Sequence, residues 1–284
     1  MNRIIVNPQQ GAGAEVTGVK LNHLSDAEFR QIQSVFAEYG LIFFRDQKLS
    51  EADHIAFARR WGDININRFF AAHNDYPEIA LVTKEKDQSE NIGGDWHTDH
   101  SYDHVPALGS ILLARELPPT GGDTWFVSMY DAFERLSDGL KNSLRGLRAV
   151  HSAKHVFGEQ GGYDSSADEF GKRIANAPAT EEMVNPVHPV VIQHPLSGKE
   201  ALYINSAFTL HFEGWTAEES AVLLDFLYKE AVQEDRVCRF QWQPGSIAFW
   251  DNRATWHNAR NDYPGFRREM HRITIEGCAL AASV

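Results

Sequence analysis

Residues 95–99 read Asp95-Trp96-His97-Thr98-Asp99. On an extended backbone His97 and Asp99, two apart, turn their side chains to the same face. An imidazole and a carboxylate aimed at one point supply two of the three ligands of a 2-His-1-carboxylate facial triad, the set that holds non-haem Fe(II) and leaves positions open. The commoner use of a lone His-x-Asp is a plain hydrogen-bonded couple. What separates the two is a second histidine from far along the chain, together with groups able to hold a co-substrate.

The chain has 13 histidines. His257 stands out by its surroundings: Phe249-Trp250-Asp251-Asn252-Arg253 ends an apolar strand, and Thr255-Trp256-His257 follows at once. A ligand at the end of a rigid strand is better positioned than one on a loose loop. Arg268 and Arg272 come next, and Ile273 and Ile275 alternate with Thr274 and Glu276 as on a strand. Four residues apart on a strand, the two arginines share a face. Two inward guanidinium groups are costly without anionic partners. A dicarboxylate co-substrate and an anionic substrate would supply them, each gripped bidentately.

Composition bounds the reading. The 284 residues suit a single domain spanning 1–284, with 23% charged and 43% hydrophobic residues, as in soluble globular proteins. No apolar run is long enough to span a bilayer, so no membrane partner is expected. The opening Met1-Asn2-Arg3-Ile4-Ile5-Val6-Asn7-Pro8 is broken too soon for a secretory leader. Two cysteines, Cys238 and Cys278, imply no disulfide framework and fit a cytoplasmic setting. A formal net charge of −12 argues against nucleic acid as a partner. It does not exclude a small anion, because a few local arginines override the global field.

Short strands are expected at Ile4 to Val6, Glu15 to Leu21, Leu41 to Phe44, Leu108 to Leu113, Asp123 to Val127, Val187 to Gln193, Glu200 to Ile204, Arg239 to Trp242, Ser246 to Trp250 and Met270 to Ile275. Ser25-Asp26-Ala27-Glu28, Ser50-Glu51-Ala52-Asp53 and Thr216-Ala217-Glu218-Glu219 are helix starts, and Gly40 is placed to end the first helix. Two shorter helices are expected over Ser128 to Leu136 and Ser137 to Leu147. From His155 to Pro186 the apolar pattern fades, and this stretch, about 155–186, is expected to be an active-site lid or a surface insertion. Strands that carry the chemistry, with helices at the start and in insertions, suit a mainly β roll with flanking helices.

Trp96-His97-Thr98-Asp99, Gly121-Gly122-Asp123-Thr124, Trp250-Asp251-Asn252-Arg253-x-x-x-His257 and Arg268-x-x-His271-Arg272, in that order, resemble the motifs of the Fe(II)/2-oxoglutarate dioxygenases of the TauD/TfdA family, typified by taurine dioxygenase and chlorophenoxyacetate dioxygenase. The similarity runs from about Glu15 to Gly277. It implies a double-stranded β-helix, a jelly-roll, cupin-like core. It implies that His97, Asp99 and His257 ligate iron, that Thr124 and Arg268 hold the distal carboxylate of 2-oxoglutarate, and that Arg272 grips the acidic head of the substrate. Where taurine dioxygenase offers taurine a histidine, a tyrosine and an asparagine, the matching positions here are Asn67, Phe70 and Gly93. The taurine-specific contacts are thus largely absent. Phe69, Phe70 and Phe208 point to a more apolar pocket, and the run from Gly121 to Gly158 is closest to aryloxypropionate-type relatives.

The expected activity is oxidative decarboxylation of 2-oxoglutarate, with O2, coupled to hydroxylation of a small organic acid of aryloxyalkanoate or sulfonate/sulfate type. A hydroxylated carbon that bears oxygen or sulfur would then break down. A homo-oligomer is the expected state. The rivals are a metal-dependent hydrolase on the same fold and a non-catalytic small-anion-binding protein. Arg268 with Thr124 counts against the first, and the intact triad against the second. His271 is expected to be structural, His100 and His104 to lie at the surface or line the pocket, and Trp96 and Trp250 to belong to the core.

Overall fold

The computed structural model describes residues 4–67, 70–89, 92–157 and 185–283. Among these, eight strands form one large sheet. Its order is Ile5–Pro8, Ala14–Thr17, Leu41–Phe44, Ile247–Asp251, Gly109–Glu116 and Arg268–Ile275, and the last strand is paired end to end by Ile64–Asn65 and Ala80–Lys84. A smaller sheet orders Cys238–Phe240, Thr124–Ser128 and Thr255–Ala259. Two further three-stranded sheets complete the roll: Thr209–Phe212, Arg148–His151 and Val187–Pro189, then Glu200–Leu202, Val191–Gln193 and Ala281–Ala282. Pairing is antiparallel except between Ala14–Thr17 and Leu41–Phe44. This is the expected double-stranded β-helix.

The central strands of the large sheet are buried on both faces, which is why Leu41–Phe44 and Ile247–Asp251 read as near-continuous apolar runs. In Leu41–Phe44 all four side chains are buried. Ile42 and Phe44 face the helices Asp26–Tyr39 and Glu51–Arg59, together with Ile247, Phe249, Ile273 and Ile275. Leu41 and Phe43 face the space between sheets, with Ala248, Trp250, Met270 and Phe126. Phe36 stacks on Phe249 and Phe43 on Phe240, each pair 4.1 Å between ring centroids. Each such side chain contributes about 1.5–3 kcal/mol of burial. The alternation continues through Arg268–Ile275, so Arg268, Met270 and Arg272 share the inward face while His271 takes the other.

The helices start where their caps dictate. Ser25, Ser50 and Thr216 each accept the N3 backbone N–H, and Glu28, Asp53 and Glu219 answer to the cap backbone. Gly40 closes the first helix with φ +66°, where a Cβ would sit 2.9 Å from that of Ala254. Val187 to Gln193 is not one strand: it breaks at Val190, and its halves join different sheets. Pro189 has no N–H to continue a ladder. Among the described residues no helix is long and apolar enough to cross a membrane.

His54, on the helix Glu51–Arg59, is fully buried. Burial, reinforced by the charges of Arg115 and His271, pushes its imidazole down to about 3. The unfolded chain binds a proton there near 6.5, and the folded chain does not until about 3. Its contribution is therefore whole above pH 6.5 and is lost as pH falls through that window, by roughly 1.4 kcal/mol per pH unit. Urea denaturation between about pH 7 and pH 4 is expected to show a shallower fall for His54→Leu than for the wild type. Equal slopes would remove His54 as a source of acid sensitivity.

Candidate active site

His97 forms an isolated antiparallel bridge with His257 on the strand Thr255–Ala259. His97 N–H donates to the His257 carbonyl at 3.1 Å, and His257 N–H to the His97 carbonyl at 2.8 Å. A reciprocal pair of this kind sends both side chains to one face, and the ring centroids lie 4.1 Å apart. His257 sits in the middle of Thr255–Ala259, on its own strand in the smaller sheet, rather than at the end of Ile247–Asp251. Nor is the His-x-Asp motif one extended strand. The backbone is extended at His97 and turns at Asp99 and His100, where φ is +60°. The turn swings the Asp99 carboxylate between the two imidazoles.

His97 Nε2 lies 3.7 Å from Asp99 Oδ1 and His257 Nε2 lies 3.8 Å from Asp99 Oδ2. Neither distance is a hydrogen bond, so the plain His–Asp couple does not describe the site. The three ligand atoms lie within 4.8 Å of one another, the only such group among the described residues. The 3.7 and 3.8 Å separations lie inside the roughly 4.2 Å that two donors, each about 2.1 Å from one cation, can span. His97 Nδ1–H donates to the Asp95 carbonyl at 2.8 Å, which leaves the Nε2 lone pair facing inward. Burial, with His97 beside it, pushes His257 well below its usual range, so it stays the neutral imidazole that a metal requires. Burial alone would raise the Asp99 carboxyl, but the Arg272 guanidinium outweighs it and holds the group below the usual carboxylate range.

A cavity of about 450 Å³ opens beside these ligands, and Arg268, Arg272, Thr124, Asn67, Phe70 and Phe208 all line it. Arg272 reaches Asp99 Oδ2 at 2.8 Å and donates through Nε to Ser110 Oγ at 3.1 Å. Its guanidinium lies 5.8 Å from the Phe70 ring centroid and 5.9 Å from that of Trp250. Arg268 is as buried, yet no carboxylate among the described residues lies within 4 Å of it. Burial lowers its pKa, and the charges of Tyr263 and Asp123 offset this only in part. Thr124 Oγ1 accepts a hydrogen bond from Trp242 Nε1 at 3.0 Å. Asn67 Oδ1 is engaged by the Phe70 N–H at 3.0 Å.

The four motifs, carried by elements that lie together only in the folded chain, converge on this one cavity. A family profile described as "Taurine catabolism dioxygenase TauD, TfdA family" matches residues 6–274. The chain belongs to the TauD/TfdA family.

Its relatives within that family differ in what they act on. The chain is 32% identical over 275 residues to an "Alpha-ketoglutarate-dependent sulfonate dioxygenase" of Saccharomyces cerevisiae, covering 92% of this chain but only 64% of that protein's length. It is 34% identical over 255 residues to a "(S)-phenoxypropionate/alpha-ketoglutarate-dioxygenase" of Sphingobium herbicidovorans, covering 87% and 85%. Among solved structures, a taurine dioxygenase of Burkholderia xenovorans superposes with a TM-score of 0.80 at 31% identity, over 98% of this chain and 93% of that one.

Several features of the cavity went unread in the sequence. Tyr102, Val156, Phe157, Ser206 and Ala207 also line the cavity. Tyr102 packs edge-on to Phe208 at 4.7 Å, and Phe157 stacks on Phe208 at 6.3 Å. Phe157 comes from the short helix Lys154–Phe157, which opens the stretch expected as a lid. The rest of that expectation, residues 158–184, and Phe69 lie outside the described residues. His100 is neither at the surface nor lining the pocket: it is buried behind the ligands with Nδ1 2.8 Å from Asp103 Oδ2. Asp251 and Arg253 are structural, forming a buried ion pair at 2.7 Å that His194 joins at 3.0 Å. That pair ties down the turn leading to His257. Gly93 has φ +78°, and a Cβ there would stand 3.2 Å from His97 Cε1. Glycine therefore keeps the space beside that ligand open.

Proposed function

We propose that this protein couples the conversion of 2-oxoglutarate and O2 to succinate and CO2 with the hydroxylation of a small organic acid. The observation that carries this reading is the pairing, in one cavity, of a three-donor metal site with a buried Arg268 that no carboxylate among the described residues contacts. A buried guanidinium with no carboxylate in contact is costly, and a dicarboxylate with one end at the metal and the other at Arg268 removes that cost.

His97, Asp99 and His257 would hold Fe(II), which supplies the activation of O2 that the organic groups of a protein cannot. The chain's own residues do the rest. Arg268 and the Thr124 hydroxyl orient the distal carboxylate of 2-oxoglutarate. Arg272 takes the acidic head of the substrate and keeps it beside the metal ligands. Phe70, Tyr102, Phe157 and Phe208 pack against the substrate's body and exclude water, while Asn67 shapes the wall by holding Phe70. These aromatic walls support an aryloxyalkanoate, or a sulfonate or sulfate with a sizeable apolar body, over taurine. A product hydroxylated on a carbon that bears oxygen or sulfur then collapses to a carbonyl compound. A hydrolase needs no dicarboxylate clamp, and a protein that merely binds anions needs no triad.

Anaerobic addition of Fe(II) and then 2-oxoglutarate is expected to give a weak visible charge-transfer band, and a panel of aryloxyalkanoates, alkyl sulfates and sulfonates to release succinate under air. No band and no succinate with any acid would sink the reading. Succinate released best with taurine would overturn the substrate class alone.

A further inference from the structure

We infer that Trp242 is a positioning residue: its indole N–H fixes the direction of the Thr124 hydroxyl, and so makes the cavity select a 2-oxo acid that carries a second carboxylate. The inference rests on the reading of Thr124 and Arg268 as the clamp for that carboxylate.

An indole N–H only donates, whereas a threonine hydroxyl has one proton and two lone pairs. Trp242 Nε1 lies 3.0 Å from Thr124 Oγ1, and both side chains are buried. The bond therefore runs one way, with Thr124 accepting. Its own proton must go elsewhere, and among the described residues no acceptor takes it. Thr124 lines the cavity, and that is where the proton has an anion to meet. The same indole presents its face to Arg268, whose guanidinium carbon lies 5.8 Å from the ring centroid. One side chain thus touches both members of the clamp.

The indole is itself held by the core. Phe240 packs edge-on to it at 4.8 Å and is stacked in turn on Phe43 at 4.1 Å. Without the N–H, the Thr124 hydroxyl is free to turn a lone pair toward the cavity, where it repels a carboxylate. Arg268 attracts any anion near it; a hydroxyl held proton-inward adds a second, directional contact that a methyl-ended 2-oxo acid cannot use.

The test is calorimetric titration of Mn(II)-loaded protein with 2-oxoglutarate and with 2-oxopentanoate, which has a methyl group in place of the distal carboxylate. Trp242→Phe keeps a ring and removes the donor. It is expected to weaken 2-oxoglutarate about three- to tenfold, the worth of one neutral hydrogen bond, and to leave 2-oxopentanoate unchanged. Thr124→Val should lower the preference for 2-oxoglutarate at least as much, and Trp242→Phe added to it should do nothing more. Equal weakening of both ligands by Trp242→Phe means general damage to the core and overturns the proposal. So does an unchanged preference in Trp242→Phe beside a lowered one in Thr124→Val. If Thr124→Val and Arg268→Gln both keep the wild-type preference, the clamp itself is wrong and the proposal falls with it.

A second measurement leaves Trp242 in place. In Zn(II)-loaded protein labelled with 15N at tryptophan, the indole N–H resonance that moves in Thr124→Val is expected to shift when 2-oxoglutarate is added and not when 2-oxopentanoate is. No shift with 2-oxoglutarate overturns the proposal even if Trp242→Phe does not fold.

Discussion

Alanine at His97, Asp99 or His257 is expected to abolish succinate formation and to weaken divalent metal binding by more than the 10–100-fold that loss of an outer hydrogen-bond partner costs. The three variants should differ in stability. His97 and His257 are held together by backbone hydrogen bonds, which an alanine keeps, so their melting temperatures should stay near wild type. Asp99 is also the partner of Arg272 at 2.8 Å. Removing it leaves a buried guanidinium uncompensated, at a cost of roughly 3–5 kcal/mol. Asp99→Ala should therefore melt lowest of the three. Co(II) titration followed by absorbance, with thermal melts of the metal-free variants, reads both effects. Wild-type turnover in any one variant removes that residue from the ligand set, and equal melting of all three removes Arg272 from its pairing with Asp99.

The second large effect divides the two arginines. They share a face of Arg268–Ile275 and one cavity, yet their surroundings differ. Arg268→Gln should raise the apparent constant for 2-oxoglutarate by at least about tenfold. Losing one partner of a desolvated charge pair costs roughly 2–5 kcal/mol, or about one to four decades. Arg272→Gln should chiefly weaken the acidic substrate and leave slow, uncoupled 2-oxoglutarate consumption. Arg272→Lys keeps a positive charge beside Asp99 but lacks the planar fork, so it should restore substrate binding poorly. Steady-state constants for both ligands, measured for all three variants, are the check. If Arg272→Gln weakens 2-oxoglutarate as much as every acidic substrate, then Arg272 belongs to the co-substrate site.

Much of the frame was legible because local chemistry and tertiary need agree there. The three capping boxes, the stop at Gly40 and the doubly buried run Leu41–Phe44 each carry their own signal. The alternation after Arg268 placed both arginines inward. Thr255–Ala259 was read only as a continuation because nearly every side chain in it is buried, so no period-two pattern survives. Thr209–Phe212 and Arg148–His151 are short and pair with each other, and Thr209–Phe212 packs on the helix Ala217–Ala231, so their pairing depends on partners distant in sequence. Phe157 and Tyr102 follow no periodic run at all. They become pocket walls only through contact with Phe208, a residue distant in sequence. Trp242 looked like one more strand aromatic, and its role depends on a hydrogen bond to Thr124 that no spacing rule announces.

The reciprocal backbone bonds between His97 and His257 bear on how such a protein endures in use. A site assembled only by its metal would come apart whenever the metal left. Here the peptide groups keep the two imidazoles in register whatever occupies the space between them. Two of the three donors are therefore in place before any ion arrives.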